Sequence, residues 1–146
     1  MYFEDFEPGQ RFTTASQTIS QEEIIAFASQ WDKQSFHLDP VAAQSSLYGG
    51  LIASGFHTLL ISFNLVVEAA IWTESSQGSP GMEDLRWLAP VRPGDTLTVD
   101  FEVVSKRKSG TRPDRGYVVW DHFTRNQDGV RVLSFRSTGI SLLRGS

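Results

Sequence analysis

Residues 31–40 read WDKQSFHLDP, which sets a carboxylate, Asp32, five positions ahead of an imidazole, His37. An acid and a histidine that meet at one small molecule form a proton-transfer device, because each can give or take a proton when its pKa lies near the working pH. Whether they meet depends on the backbone between them. On an α-helix, five residues turn the second side chain about 140° from the first. On a strand the two would lie on opposite faces, roughly 16 Å apart. Only a compact loop brings both to one point. The apolar flanks Trp31 and Phe36 would raise the pKa of the acid by desolvation. Spacing alone leaves another reading open, in which His37 is a loop histidine and Asp32 bonds backbone amides at a helix end.

A second stretch, YGGLIASGFHTLL at 48–60, is rich in glycine and then turns apolar. A helix that starts near Gly55 has first-turn N–H groups with no partner of their own, and its dipole favours negative charge there. Glycine lets a ligand approach such a backbone closely. A thioester carbonyl placed there would gain hydrogen bonds as its oxygen takes on enolate character. The alternative is that Gly49, Gly50 and Gly55 only shape a tight turn.

The surrounding elements must hold these groups. Ser20 followed by Glu23 has capping-box spacing and predicts a helix to about Gln30. Asp39-Pro40 is a start signal for a short helix to about Ser46. The acid and the histidine therefore fall in the connection between two helices. From Phe56 to Trp72 the chain can be helical throughout, with apolar residues around almost the whole circumference. That pattern predicts a central helix buried on nearly all sides. TESSQGSPG is a loop, and the remainder reads as strand after a short strand near Arg11–Thr14. MEDLRWLAP is one strand, and VRPGDT is a turn with Pro93-Gly94 suited to a type II bend. Leu97, Val99, Phe101 and Val103 alternate with polar residues. YVVWDHFTRN and VRVLSFRSTGISLL are joined by Gln127-Asp128-Gly129, a hairpin signal, and SKRKSGTRPDRG reads as a basic loop. Helices first and strands afterwards indicate an α+β domain, with the antiparallel sheet curled around the buried helix.

The chain has 146 residues, enough for one domain with a sizeable core, and no internal repeat or linker divides it, so residues 1–146 read as a single domain. A net charge of −4 argues against nucleic acid or an anionic membrane as partner. The absence of cysteine excludes disulfides, thiolate nucleophiles and zinc–thiolate sites. No histidines and acids have metal-ligand spacing. The acidic start MYFEDFEPGQ is unlike a signal peptide, and the most apolar run, LLISFNLVVEAAIW, is too short to span a bilayer. A soluble, cytoplasmic protein is expected.

The stretch WDKQSFHLDPVAAQSSLYGGLIASGFHT resembles the hydratase motif of the MaoC-like, or (R)-specific enoyl-CoA hydratase, family, and LRWLAPVRPGDTLTVDFEVVSKR and SFRSTGISLL resemble its later strands. The resemblance covers nearly the whole chain. It implies a hotdog fold, a homodimer or dimer of dimers with sites near the subunit interface, and reversible syn addition of water to a trans-2-enoyl thioester. Coenzyme A or acyl carrier protein would carry the substrate, with no further cofactor. Asp32 and His37 would hold and activate water, and the Gly55 N–H would meet the thioester oxygen. Gln34, Gly50, Ser54 and His57 are expected around the substrate. Gln34-Ser35 stand where the family often has Asn-Pro, and Ser54 stands where many members have histidine, here displaced to His57. Two other functions share the fold: acyl-CoA thioester hydrolysis, and non-catalytic binding of acyl thioesters. A histidine ahead of the helix favours hydration.

The remaining candidates have plainer readings. Lys106, Arg107, Lys108, Arg112 and Arg115 could meet the phosphates of coenzyme A or simply form a solvated hairpin tip. Thr58 and Ser62 are expected to bond the preceding turn of their helix. His122 reads as a surface or interface residue, and Trp72, Trp87 and Trp120 read as core or interface bulk.

Overall fold

Strict alternation in Arg115–Arg125, where every second residue is buried, marks a strand with one face on the core. In a computed structural model describing residues 1–146, this strand, β4, lies at the centre of a five-stranded antiparallel sheet. The others are β1 (Arg11–Thr18), β2 (Gly81–Trp87), β3 (Thr96–Lys108) and β5 (Arg131–Leu142), in the order β1-β3-β4-β5-β2. The sheet wraps a 14-residue helix, α4 (Gly55–Glu68), which gives the α+β hotdog arrangement. Leu97, Val99, Phe101 and Val103 of β3, with Val118 and Trp120 of β4, face the helix and are almost fully buried. Truncating one of these to alanine costs about 2–5 kcal/mol.

Local signals account for the ends of the elements. Helix α1 (Gln21–Trp31) starts at a complete capping box, in which the Ser20 side chain accepts from the Glu23 N–H and Glu23 accepts from the Ser20 N–H. Asp39 caps α3 (Pro40–Ala43) by accepting from the Val41 and Ala42 amides. At the Pro93-Gly94 turn the Asp95 N–H donates to the Arg92 carbonyl, with Gly94 at φ 89° as a type II bend requires. The first strand runs to Thr18, further than its sequence suggests, because Thr–Thr and Ser–Thr pairs continue across it to β3.

Three expectations change. Helix α4 stops at Glu68 rather than Trp72, and Ala70 turns left-handed at φ 58°. The turn carries Trp72 onto Trp120, ring centres 4.9 Å apart. Nor is α4 enclosed on all sides. Phe56, Leu60, Phe63 and Val67 form a stripe 40–58% exposed on the face away from the sheet. The basic "loop" is half strand, since β3 runs through Lys108 and β4 starts at Arg115. Edge strand β2 bulges between Glu83 and Arg86, with Asp84 at φ 54°, and a bulge re-aims the side chains that follow it. No helix is long and apolar enough to cross a membrane.

Candidate active site

The connection after α1 folds more tightly than a plain loop. Asp32 caps the helix, with its N–H still donating to the Ala28 carbonyl. The chain then makes one helical turn, α2 (Ser35–Leu38), which carries His37. That turn swings the imidazole back over the acid, so that His37 Nε2 lies 3.2 Å from Asp32 Oδ2. Neither a continuous helix nor a strand would allow this.

Backbone groups orient the histidine. His37 Nδ1 is 2.7 Å from the Ile52 carbonyl oxygen, which can only accept, so Nδ1 carries the hydrogen. In the neutral ring Nε2 is then a lone pair facing a carboxylate. Two acceptors 3.2 Å apart repel unless a proton lies between them, and a water can sit only beside the pair, within reach of both atoms. The Ile52 carbonyl is itself fixed, because the Ile52 N–H donates to the Phe36 carbonyl and the Ala53 N–H to the Val91 carbonyl.

The carboxylate is equally held. Gln34 Nε2 donates to Oδ1 and Ser54 Oγ to Oδ2, each at 2.7 Å. Burial pushes the pKa of Asp32 up, but the bonds from Gln34 and Ser54 and the nearby His37 charge outweigh it and hold the acid below its ordinary value. This reverses the expectation drawn from its aromatic neighbours. Trp31 turns to solvent, 68% exposed, and Phe36 sets its edge on His37, ring centres 4.6 Å apart.

The amide end of α4 opens beside this pair. The N–H groups of Gly55, Phe56 and His57 have no acceptor in the protein, and Ser54 provides no side-chain cap. A cavity of about 490 Å³ joins Asp32, His37 and Gly55, with Tyr48, Trp87 and Val132 among its walls. A Cβ on Gly55 would overlap the face of the Trp87 indole, with Cε2 at 2.5 Å and Cδ1 at 2.9 Å, so the ring would have to shift to admit one. Trp87 is therefore a wall of the site, not core bulk. Its position beside Gly55 has no short-range sequence signal, since 32 positions separate the two residues.

The other candidates lie elsewhere. Gln34 lines the cavity but spends its amide on Asp32. Gly50, Ser54 and His57 are outside the lining. Gly50 faces Arg92, Ser54 is behind the carboxylate, and His57 stacks flat on Phe27 with ring centres 4.4 Å apart. Ser62 donates to the Thr58 carbonyl and pairs with Thr124. His122 is buried rather than exposed, stacked on Phe135 and bonded to Ser137, and burial lowers its pKa to about 4. The basic hairpin is far from the cavity of its own chain. Val132 at the cavity and Leu142, paired with Arg115, lie ten residues apart on β5, roughly 30 Å of strand. Lys106 is also tied to the Phe3 and Glu4 carbonyls and to Glu7.

A family model described as the MaoC like domain matches residues 5–119, which span the Asp32–His37 turn, the amide end of α4 and the first three strands. The chain belongs to the MaoC-like family. Among solved structures, this MaoC-like domain is similar to a MaoC-like dehydratase from Rhodospirillum rubrum, with TM-score 0.93 and 37% identity, covering 100% of this chain and 99% of that one. It is 33% identical to the uncharacterized protein YdeM of Bacillus subtilis over 90% of this chain and 92% of that protein. It is 30% identical to an (R)-specific enoyl-CoA hydratase of Rhodospirillum rubrum over 82% of this chain and 77% of the relative.

Proposed function

We propose that this MaoC-like domain catalyses the reversible hydration of trans-2-enoyl thioesters to (R)-3-hydroxyacyl thioesters. The observation that carries the reading is the 3.2 Å approach of Asp32 Oδ2 and His37 Nε2 in one cavity with the Gly55 amide. A water beside the pair, within reach of both atoms, is aligned and polarised, and the pair takes its proton as oxygen bonds to C3 of the enoyl group. Electron density moves through C2 onto the thioester oxygen, where the Gly55 N–H and the positive end of α4 stabilise it. The pair then returns a proton to C2 on the same face, so proton and charge balance over the cycle. The name of the 30% identical R. rubrum relative supports the reaction class.

Coenzyme A or acyl carrier protein would carry the acyl group, and the protein needs no further cofactor. Arg92, which donates to the Tyr48 carbonyl at the cavity wall, is a cation suited to the phosphates of that carrier. The exposed stripe on α4 supports a homodimer or a dimer of dimers, since four large apolar side chains in a row need a cover.

Incubation with crotonyl-CoA tests the reading. Loss of enoyl absorbance without release of thiol is expected. Thiol release would instead indicate a thioesterase, and no change with any of a panel of enoyl-CoAs would leave a non-catalytic acyl-thioester-binding role.

A further inference from the structure

The cavity beside Asp32 and His37 has an open end and a closed end. Phe56, Trp87 and Leu88 stand half exposed on one side of it, and Thr58 and Val132 are buried at the other. A thioester on its carrier therefore enters past Phe56 and Leu88, and its acyl chain runs toward Thr58. Thr58 lies three residues along α4 from Gly55, about 4.5 Å deeper. That is the length of about three carbon–carbon bonds.

A second cavity, of about 140 Å³, lies further along the same helix, with Phe63, Trp120, His122, Phe135 and Ser137 in its walls. No residue lines both cavities. Strand register shows what separates them. Thr124 pairs with Leu133, the chain neighbour of Val132 in the first cavity. His122, the next residue on the same face of β4, pairs with Phe135, and both belong to the second cavity. On the helix, Ser62 comes one turn after Thr58 and directly before Phe63. Ser62, Thr124 and Leu133 thus stand between the cavities, and none has any exposed surface.

The polar members of this group are locked together. Ser62 Oγ donates to the Thr58 carbonyl at 2.7 Å, which uses its one hydrogen. The 2.7 Å bond between Ser62 Oγ and Thr124 Oγ1 is therefore donated by Thr124. It ties helix to sheet at the point where the two cavities would otherwise join. An alkyl chain that pushed the pair apart would leave buried hydroxyls without partners, a cost its extra methylenes must overcome.

We propose that Ser62, Thr124 and Leu133 form a barrier that ends the acyl site, so that the protein takes short-chain enoyl thioesters of roughly four to six carbons. This rests on the hydration reading for its consequence in turnover, but chain length can be read from binding alone. The space beyond the barrier matches in volume an apolar cavity that takes up one benzene molecule, so opening the barrier gives a longer tail somewhere to go.

Calorimetric titration with butyryl-CoA and octanoyl-CoA tests the barrier without turnover. The wild-type protein is expected to bind butyryl-CoA at least about tenfold more tightly. Ser62→Ala with Thr124→Ala removes the bond and part of the bulk. It should tighten octanoyl-CoA binding at least about tenfold, because each methylene that leaves water is worth about fourfold. Ser62→Ala with Thr124→Val keeps the outline of the pair and should keep the wild-type preference. The kcat/KM values for crotonyl-CoA and trans-2-octenoyl-CoA should follow the same order in all three proteins. Equal affinity of the wild type for both lengths, or an unchanged octanoyl-CoA affinity in the folded double-alanine protein, overturns the barrier. Hydration of both lengths at equal kcat/KM by the wild type keeps the hydratase reading and overturns the barrier. A length preference that the double-alanine protein relaxes, without hydration of any enoyl-CoA, keeps the barrier and removes the hydratase reading.

Discussion

The Ser54 hydroxyl donates to Asp32 Oδ2, the same carboxylate oxygen that faces His37. The residue that precedes the central helix thus ties the acid to the helix whose amide end completes the site. Asp32, His37 and the start of the helix are coupled through contacts only a few bonds long.

The most direct prediction concerns the pair itself. Asp32→Asn and His37→Ala should each reduce crotonyl-CoA hydration at least about a hundredfold, the usual scale for a general acid–base group. Steady-state assays on variants with wild-type melting temperatures check this. Unchanged turnover in either variant removes that residue from the mechanism.

Ser54→Ala should act more gently. It removes one of the bonds that hold the pKa of Asp32 down while leaving burial to push it up. The acid limb of the pH–rate profile should move to higher pH, and kcat should fall roughly tenfold through lost orientation. A profile that overlays the wild type would show that the hydroxyl plays no part in tuning the acid.

Gly55→Ala should clash with the Trp87 ring. A loss of about 1–3 kcal/mol in stability is expected, the scale for overpacking. Combining it with Trp87→Leu should recover part of that loss, and the double-mutant cycle measured by denaturant titration reads the coupling. Additive losses would mean that the ring and the helix start do not touch.

Leu60→Glu or Phe63→Glu should produce monomers by light scattering at micromolar concentration, because each puts a charge in the middle of the uncovered apolar stripe. A dimer that survives both substitutions would assign the subunit contact to another face.

Stability should fall in acid through His122. Its folded pKa, about 4, lies below the ordinary histidine value of 6.5, so the unfolded chain binds the extra proton first. The contribution is full above about pH 6.5 and is lost as pH falls toward 4, up to on the order of 3 kcal/mol. Denaturation midpoints measured from pH 7 to 4 should flatten in His122→Phe.

Much of this architecture is written in short-range patterns. Period-two alternation in β3 and β4 survives because one face of each is sealed against α4, and the caps at Ser20 and Asp39 are local chemistry. The convergence of Asp32 and His37 follows from the helix stop and start on either side of them. Other features have no such signal. An all-round apolar helix reads the same whether its last face meets its own sheet or another molecule, so the open stripe was not legible in α4. The contact of Ser54 with Asp32 spans 22 positions, and the approach of Trp87 to Gly55 depends on the edge strand and its bulge. The turn at Ala70 carries no glycine to announce it.

His37 hangs from the main chain of residue 52 rather than from any side chain. A carbonyl anchor is blind to what residue supplies it. A different side chain at position 52 or 53, both of which line the cavity, would reshape its wall while the imidazole keeps its aim. The aim of the histidine and the shape of the cavity are thereby separable traits.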